Sequence, residues 1–152
     1  MPHTNNFLTH EEEQQVVQAI IQAEKNTTGE IRVHIENHSN SKLMERAWEV
    51  FHLLEMQKTN ARNGVLFYVG TIDHRFAIVG DEGINRVVPD DFWECTKDVV
   101  ISNFKNKNYC QGLVEGVLRA GEQLKKYFPA DESTSIDELS NEISKGVLGV
   151  SS

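Results

Sequence analysis

Five acidic residues lie where the sequence pattern places the ends of strands and the starts of helices: Glu30, Asp81, Glu82, Asp90 and Asp91. Side chains at such places can converge without being buried in a sheet. Carboxylates, together with backbone carbonyls and water, are the ligands that Ca²⁺ and Mg²⁺ take in proteins. The residue types therefore suit a divalent cation site. Spacing alone does not bring them together, and simpler roles stay open, with Asp90 as a helix cap and Asp81 as a turn residue before Gly83.

Patterns of other familiar sites do not fit the sequence. A calcium loop of the EF-hand type starting at Asp81 would need Glu at its twelfth position, which is Phe92. The six histidines, at positions 3, 10, 34, 38, 52 and 74, form no HExxH pair, and we expect them to be solvated. The sequence contains no GxSxG elbow, GxxxxGK[ST] loop or GxGxxG fingerprint. It therefore names no nucleophile or general base.

Composition narrows the class of protein further. The 152 residues carry 15 Lys and Arg against 23 Asp and Glu, a formal net charge of -8. Nucleic-acid binders cluster basic residues, whereas the longest basic run here is Lys125-Lys126. The sequence has no apolar run of about 18 residues, and its N-terminal segment carries Glu11 to Glu13 where a signal peptide is apolar. We expect a cytoplasmic protein that binds neither nucleic acid nor membrane, with Cys95 and Cys110 as reduced thiols.

The elements that must position the acidic residues follow from hydrophobic spacing. Thr9 and Glu12 form a capping box that predicts a helix ending at 26–29. The alternation in Glu30–Glu36 predicts a strand with one buried face. Leu43, Ala47, Val50, Phe51 and Leu54 then mark a second amphipathic helix.

The middle of the chain predicts a hairpin followed by paired helices. The apolar run Val65–Val69 is typical of a strand buried on both faces, and the strand 75–80 returns beside it after a turn. We expect a turn at 81–83, which residues 84–88 follow. Pro89 is expected in a loop, and a helix is expected to begin near Asp90. A last helix runs to Phe128 and is closed by Pro129. Gly112 and Gly116 indicate close helix packing, and Trp48 and Trp93 indicate core positions.

These elements predict an α/β fold: a three-layer sandwich in which a small mixed β-sheet is covered by helices on both faces. Residues 1–129 form its single domain. Residues 130–152 are an acidic, Ser-rich tail in which Ile136, Leu139, Ile143 and Val147 are spaced for a short docking helix.

Several ordered blocks of the sequence resemble the TPM domain family, once a domain of unknown function. The blocks are Thr28-Gly29-Glu30-Ile31, residues 63–69, residues 75–84, Asp90-Asp91-Phe92-Trp93, and the stretch from Gly112 through Gly121-Glu122 to Phe128-Pro129. The likeness covers roughly residues 7–129. Many family members carry a signal segment and a C-terminal membrane anchor, and this chain shows neither pattern. We therefore expect a stand-alone cytoplasmic member.

The resemblance also implies a function. It implies a sheet between helices and a rim where acidic residues bind divalent cations, carried here by Glu30, Asp81, Asp90 and Asp91, with Glu82 as a weaker fifth. We expect Ca²⁺ or Mg²⁺ binding by a non-catalytic binding or interaction module. The alternative, from the activity proposed for the family, is a metal-dependent or acid phosphatase acting on phosphomonoesters. A third reading is an interaction domain without metal, whose acidic surface only keeps it dissolved.

Overall fold

A four-stranded mixed sheet forms the centre of the molecule. The computed structural model describes residues 7–37, 42–72, 74–130 and 140–145. Strand β1 (Glu30–Glu36) pairs in parallel with β2 (Gly64–Gly70), which pairs antiparallel with β3 (Arg75–Gly80). On its other side β1 pairs in parallel with the two-residue strand β4 (Ser144–Lys145), so the strand order is β3-β2-β1-β4. The predicted hairpin and central strand are confirmed, and β2 is buried along its whole length.

In the described ranges, five helices surround this sheet: α1 (His10–Glu24), α2 (Leu43–Leu53), α3 (Glu82–Asn85), α4 (Glu94–Lys105) and α5 (Tyr109–Tyr127). The capping box of α1 is present, since the Thr9 hydroxyl accepts from the Glu12 amide at 3.1 Å and the Glu12 carboxylate accepts from the Thr9 amide at 2.9 Å. Among the residues that the structure describes, no helix is both long and apolar enough to cross a membrane.

Two hydrophobic cores make the sheet the middle of three layers. The odd-numbered residues of β1 and β2 face α1, α4 and α5, whose apolar side chains complete the larger core. The opposite face packs on α2 through a smaller core: Ala47, Val50, Phe51, Met56, Leu66, Tyr68, Ala77 and Val79. The predicted fold, a small mixed sheet with helices on both faces, is confirmed.

Three local predictions were wrong. The segment after β3 is the short helix α3 and not a plain turn, because Asp81 caps it. Helix α4 begins at Glu94 and follows Trp93, so Asp90 does not cap it. Strand β1 is buried on both faces rather than one, because a buried network of polar groups lies beneath its second face.

The acidic tail differs from the expected helix where the structure describes it. Residues 144–145 form β4, and Ile143 packs against the larger core. Three other residues of the predicted docking helix, Ile136, Leu139 and Val147, lie outside the described residues. The predicted helix does not form at 143–145, because the backbone of residues 144–145 pairs with the open edge of β1.

Close packing of α4 against α5 depends on glycine. A Cβ placed on Gly116 would lie 2.5 Å from Val100 Cγ2 and 3.1 Å from Phe67 Cε2, and one on Gly112 would lie 2.9 Å from Asn103 Cβ. The predicted role of both glycines is confirmed.

We expect Gly116→Ala to lower the free energy of unfolding by about 1–3 kcal/mol, because the added methyl overpacks the core between α5 and β2. Urea unfolding checks this. Leu118→Ala on the exposed face of the same helix is the control, and we expect it to change stability by less than about 1 kcal/mol, since Leu118 is 37% exposed. Equal stability of the Gly116→Ala protein would contradict the close contact.

Candidate functional site

Sheet pairing places Glu30 and Asp81 at the same end of the sheet. Glu30 pairs with Gly64 at the start of β2, and its amide donates to the Asn63 carbonyl at 3.3 Å. Asp81 follows β3, and its amide donates to the Gly64 carbonyl at 2.9 Å. Since neighbouring strands are about 4.8 Å apart, the two backbones lie about 10 Å apart across Gly64.

Strand alternation also gives these two acidic residues the same face. Residues that pair across the sheet share a face, and Arg32, Leu66 and Val79 are such a row. Glu30 precedes Arg32 by two residues, and Asp81 follows Val79 by two. Both carboxylates therefore belong to the face that packs on α2, and both residues are buried.

Asp81 is held by an arginine that the sequence did not point to. Arg62 donates from Nε to Asp81 Oδ2 at 2.8 Å and from Nη2 to Oδ1 at 3.0 Å. The amide of Glu82 also donates to Oδ1, at 2.7 Å, as the cap of α3. Bidentate pairing of this kind fixes both partners. The carboxylate of Asp81 raises the pKa of Arg62.

Glu82 extends this cluster outward. Its Oε1 lies 3.2 Å from Arg62 Nη1 and 3.2 Å from Arg86 Nη2. Arg62 thus links one buried and one exposed carboxylate, with 38% of its own side chain exposed. No sequence motif marks this arginine, which lies in the loop between α2 and β2.

Asp90 and Asp91 lie in an exposed turn between α3 and α4. The Phe92 amide donates to the Pro89 carbonyl at 3.1 Å, and the Glu94 amide donates to the Asp91 carbonyl at 3.0 Å. These are backbone bonds, so both aspartate side chains stay exposed. Within the described part of the chain, no three His, Cys, Asp or Glu side chains are grouped closely enough to hold a metal ion. The predicted metal residues stay a prediction.

The hydrogen bonds of Asp81 decide how much of its carboxylate a cation could use. A carboxylate has about four lone-pair positions. The Oδ1 atom accepts from Arg62 and from the Glu82 amide, while Oδ2 accepts from Arg62 alone. One position on Oδ2 therefore remains. A cation at this end of the sheet would bind that oxygen directly, or take the place of Arg62.

A second polar cluster, which the sequence analysis missed, lies buried between β1 and α2. Glu36 accepts from Arg46 Nε and Nη2, both at 2.7 Å, from His34 Nε2 at 3.0 Å, and from the Tyr68 hydroxyl. Arg46 also donates to Glu49. We call His34, Glu36, Arg46 and Tyr68 the Glu36 network. The expectation of solvated histidines was wrong for His34, which is fully buried, whereas His3 and His38 lie outside the described residues.

Charge pairing controls the protonation of the Glu36 network. Burial opposes the charge of Glu36, but hydrogen bonds from Arg46, His34 and Tyr68 outweigh it and lower its pKa to about 2. Burial, together with the neighbouring Glu36 carboxylate, raises the pKa of Tyr68. Hydrogen bonding to Glu36 raises the pKa of Arg46. The network is therefore a stable ion pair at neutral pH.

A weak signal of this network was present in the sequence. The strand that carries Glu36 alternates apolar residues with Glu30, Arg32, His34 and Glu36, so its second face is charged throughout. On an open sheet such a face contacts water. Here α2 covers the charged face of β1 and contributes Arg46 to pair with Glu36. The alternation of residues within one strand does not reveal that a helix will cover it.

Comparison with known proteins identifies the family to which this chain belongs. Residues 3–123 match the family model of the TPM domain. The chain is similar to the BA42 protein from the psychrophilic bacterium Bizionia argentinensis, solved by NMR, with 54% sequence identity and a TM-score of 0.86 over 92% of this chain and 96% of that chain. The N-terminal domain of a P. gingivalis protein, also an NMR structure, is 20% identical with a TM-score of 0.63 over 80% and 79% of the two chains, and shows the fold alone. The comparison with curated proteins found no match.

Proposed function

Since this chain belongs to the TPM domain family, we propose that it is a divalent-cation-binding domain that acts as a binding module rather than an enzyme. The cation is Ca²⁺ or Mg²⁺, held at the end of the sheet by Glu30 and Asp81. Since the described structure groups no three such side chains, Glu82, Asp90 and Asp91 must move toward the cation to complete its oxygen shell. One observation carries the proposal: the sheet register puts the Glu30 and Asp81 carboxylates on one face, with a single strand between them. A cation with bound water can bridge this spacing.

Arg62 competes with the proposed cation for the carboxylate of Asp81. Its guanidinium occupies both oxygens of Asp81, so an incoming cation meets a positive charge already in place. Because the side chain is partly exposed, it can turn toward solvent while Glu82 remains nearby as a ligand. Cation affinity therefore depends on how readily Arg62 leaves Asp81, and a variant without that charge binds the cation more tightly.

A titration with residue-resolved amide shifts tests the proposal. Adding Ca²⁺ or Mg²⁺ to chelator-treated protein should give saturable shifts at residues 30, 81–83 and 90–91. We expect Arg62→Gln to tighten binding at least threefold, and the double variant Asp90→Asn with Asp91→Asn to weaken it at least threefold without loss of fold, since both side chains are exposed. Glu45→Gln on α2, also exposed, is the matched control and should bind as the unaltered chain does.

Two outcomes would reject this function. Absence of saturable shifts would leave an interaction domain without metal. Hydrolysis of a phosphomonoester by metal-loaded protein, abolished by Asp81→Asn in a protein that still folds, would instead favour the metal-dependent phosphatase. A cation with open positions can polarise a phosphoryl oxygen and lower the pKa of bound water, so this assay belongs beside the titration.

A further inference from the structure

We propose that the outer edge of β1 is a binding site for an extended segment of another protein, and that this chain fills the site with its own residues 143–145. The site lies at the opposite end of β1 from Glu30, about five residues or 17 Å along the strand, so it is independent of the proposed cation site.

Residues 143–145 bind at this edge through three side chains, one apolar, one with a hydroxyl and one with a positive charge. Ile143 packs against the larger core. The Ser144 hydroxyl lies 2.8 Å from His34 Nδ1. The Lys145 ammonium lies 3.0 and 3.3 Å from the two carboxylate oxygens of Glu13 on α1.

The Glu36 network determines what His34 presents to this segment. His34 Nε2 lies 3.0 Å from Glu36 Oε1, so Nδ1 is the ring nitrogen that faces the segment. A group placed over Nδ1 must therefore form a hydrogen bond with this ring nitrogen, as the Ser144 hydroxyl does at 2.8 Å. The network is not only a structural support, because it fixes the orientation of the His34 ring and so gives one position of the site a preference for a hydroxyl.

The seated segment is held weakly enough to be replaced. Only two of the seven β1 residues, His34 and Ile35, pair with it. Its ion pair is partly exposed, with 36% of the Lys145 side chain and 15% of the Glu13 side chain accessible, and solvent-exposed ion pairs contribute little to stability. A strand this short adds little stability of its own. A longer segment could extend along β1 toward Val33 and form more backbone bonds.

These contacts define the partner by chemistry. It is a segment that runs parallel to β1 and carries an apolar residue, then Ser or Thr, then Lys or Arg. The apolar residue and the cation face α1, and the hydroxyl faces His34. The first turn of α1, which contains Glu11, Glu12 and Glu13, favours the cation at the third position.

The chain's own segment competes with any such partner. That segment belongs to the same chain, and covalent linkage gives it an effective concentration at the site of about millimolar. A free peptide must exceed that level to displace it from the unaltered chain. Lys145→Glu opposes the tethered segment by placing a carboxylate against Glu13, and so opens the site.

The probe is a synthetic peptide with the sequence of residues 140–147, Ser-Asn-Glu-Ile-Ser-Lys-Gly-Val. Added to full-length ¹⁵N-labelled Lys145→Glu protein, it should give saturable amide shifts at Glu13 and at Val33, His34 and Ile35. Lys126→Glu, a charge reversal on the exposed end of α5, is the matched control and should behave as the unaltered chain, with shifts only near millimolar peptide.

Peptide variants test whether recognition uses the side chains described. Replacing the peptide serine with alanine, or its lysine with glutamate, should weaken binding about two- to fivefold or more. Glu13→Lys protein should reverse the second preference and select the glutamate peptide. A merely structural β4 would not produce this reversal.

Two results would overturn the proposal. One is a well-dispersed spectrum of Lys145→Glu protein with no saturable shift at residues 33–35. The other is concentration-dependent dimerisation of the unaltered chain that the peptide dissociates, because the site would then belong to a second copy of this chain.

Discussion

Glu36→Gln is expected to lower the free energy of unfolding by about 3–5 kcal/mol. The substitution keeps the size of the side chain but leaves the buried charge of Arg46 without its carboxylate, and unpaired buried charges are costly. The amide also cannot accept all the hydrogen bonds that His34, Arg46 and Tyr68 donate to the carboxylate. Urea unfolding followed by circular dichroism measures the change.

Two further variants separate charge pairing from shape. Glu49 also accepts from Arg46, but its side chain is 60% exposed, so we expect Glu49→Gln to cost no more than about 1 kcal/mol. The double variant Glu36→Met with Arg46→Met removes the unpaired charge but leaves His34 Nε2 and the Tyr68 hydroxyl without their acceptor, so it should be less destabilised than Glu36→Gln and still less stable than the unaltered chain. If Glu36→Gln is as mild as Glu49→Gln, the buried ion pair is not what holds α2 to β1.

Acid should destabilise the protein through the same carboxylate. The pKa of Glu36 falls from its ordinary value of 4.5 to about 2 on folding. A depressed folded-state pKa contributes stability that is complete above the unfolded value and is lost as pH falls through the folded one. Glu36 therefore contributes about 3 kcal/mol at neutral pH, and this begins to disappear below about pH 4.5 and is gone below about pH 2.

The check is a comparison of two proteins across that range. Urea unfolding of the unaltered chain and of Glu36→Gln, measured between pH 2 and pH 7, gives their stability difference at each pH. The difference should be constant above about pH 5 and should shrink steadily below it. A difference that stays constant down to pH 2 would mean that Glu36 is not the titrating group, because the variant lacks this carboxylate and every other acidic residue is shared.

Much of the fold could be predicted from local patterns. The capping box at Thr9 and the apolar run Val65–Val69 identify a helix start and a central strand, since helix capping and burial of continuous apolar residues act over a few residues. The glycines of α5 likewise indicated close helix packing. Predictions failed where a local signal had a tertiary competitor, as at Ile143, which lies just before β4, packs against the larger core and is not part of a helix.

The candidate site was predictable in its residue types but not in its partners. Glu30 and Asp81 were identified from their positions at element ends, and sheet pairing brings them to one end of the sheet. Arg62 was missed because it comes from a loop 19 residues before Asp81 and belongs to no motif. His34 was expected to be solvated because the sequence around a single histidine in a strand does not show which element packs over it.

By itself the sequence determined the class of fold, the net acidic charge and the carboxylates that are candidates for a cation site, because these follow from composition and from spacing along a few turns or strand positions. Tertiary structure alone decided which charges meet. Ion pairs such as Glu36 with Arg46 and Asp81 with Arg62 form between separate elements, and their strength depends on distance and burial that no local pattern encodes. The same holds for β4, whose place beside β1 depends on an open strand edge, a buried ring nitrogen of His34 and a carboxylate on α1.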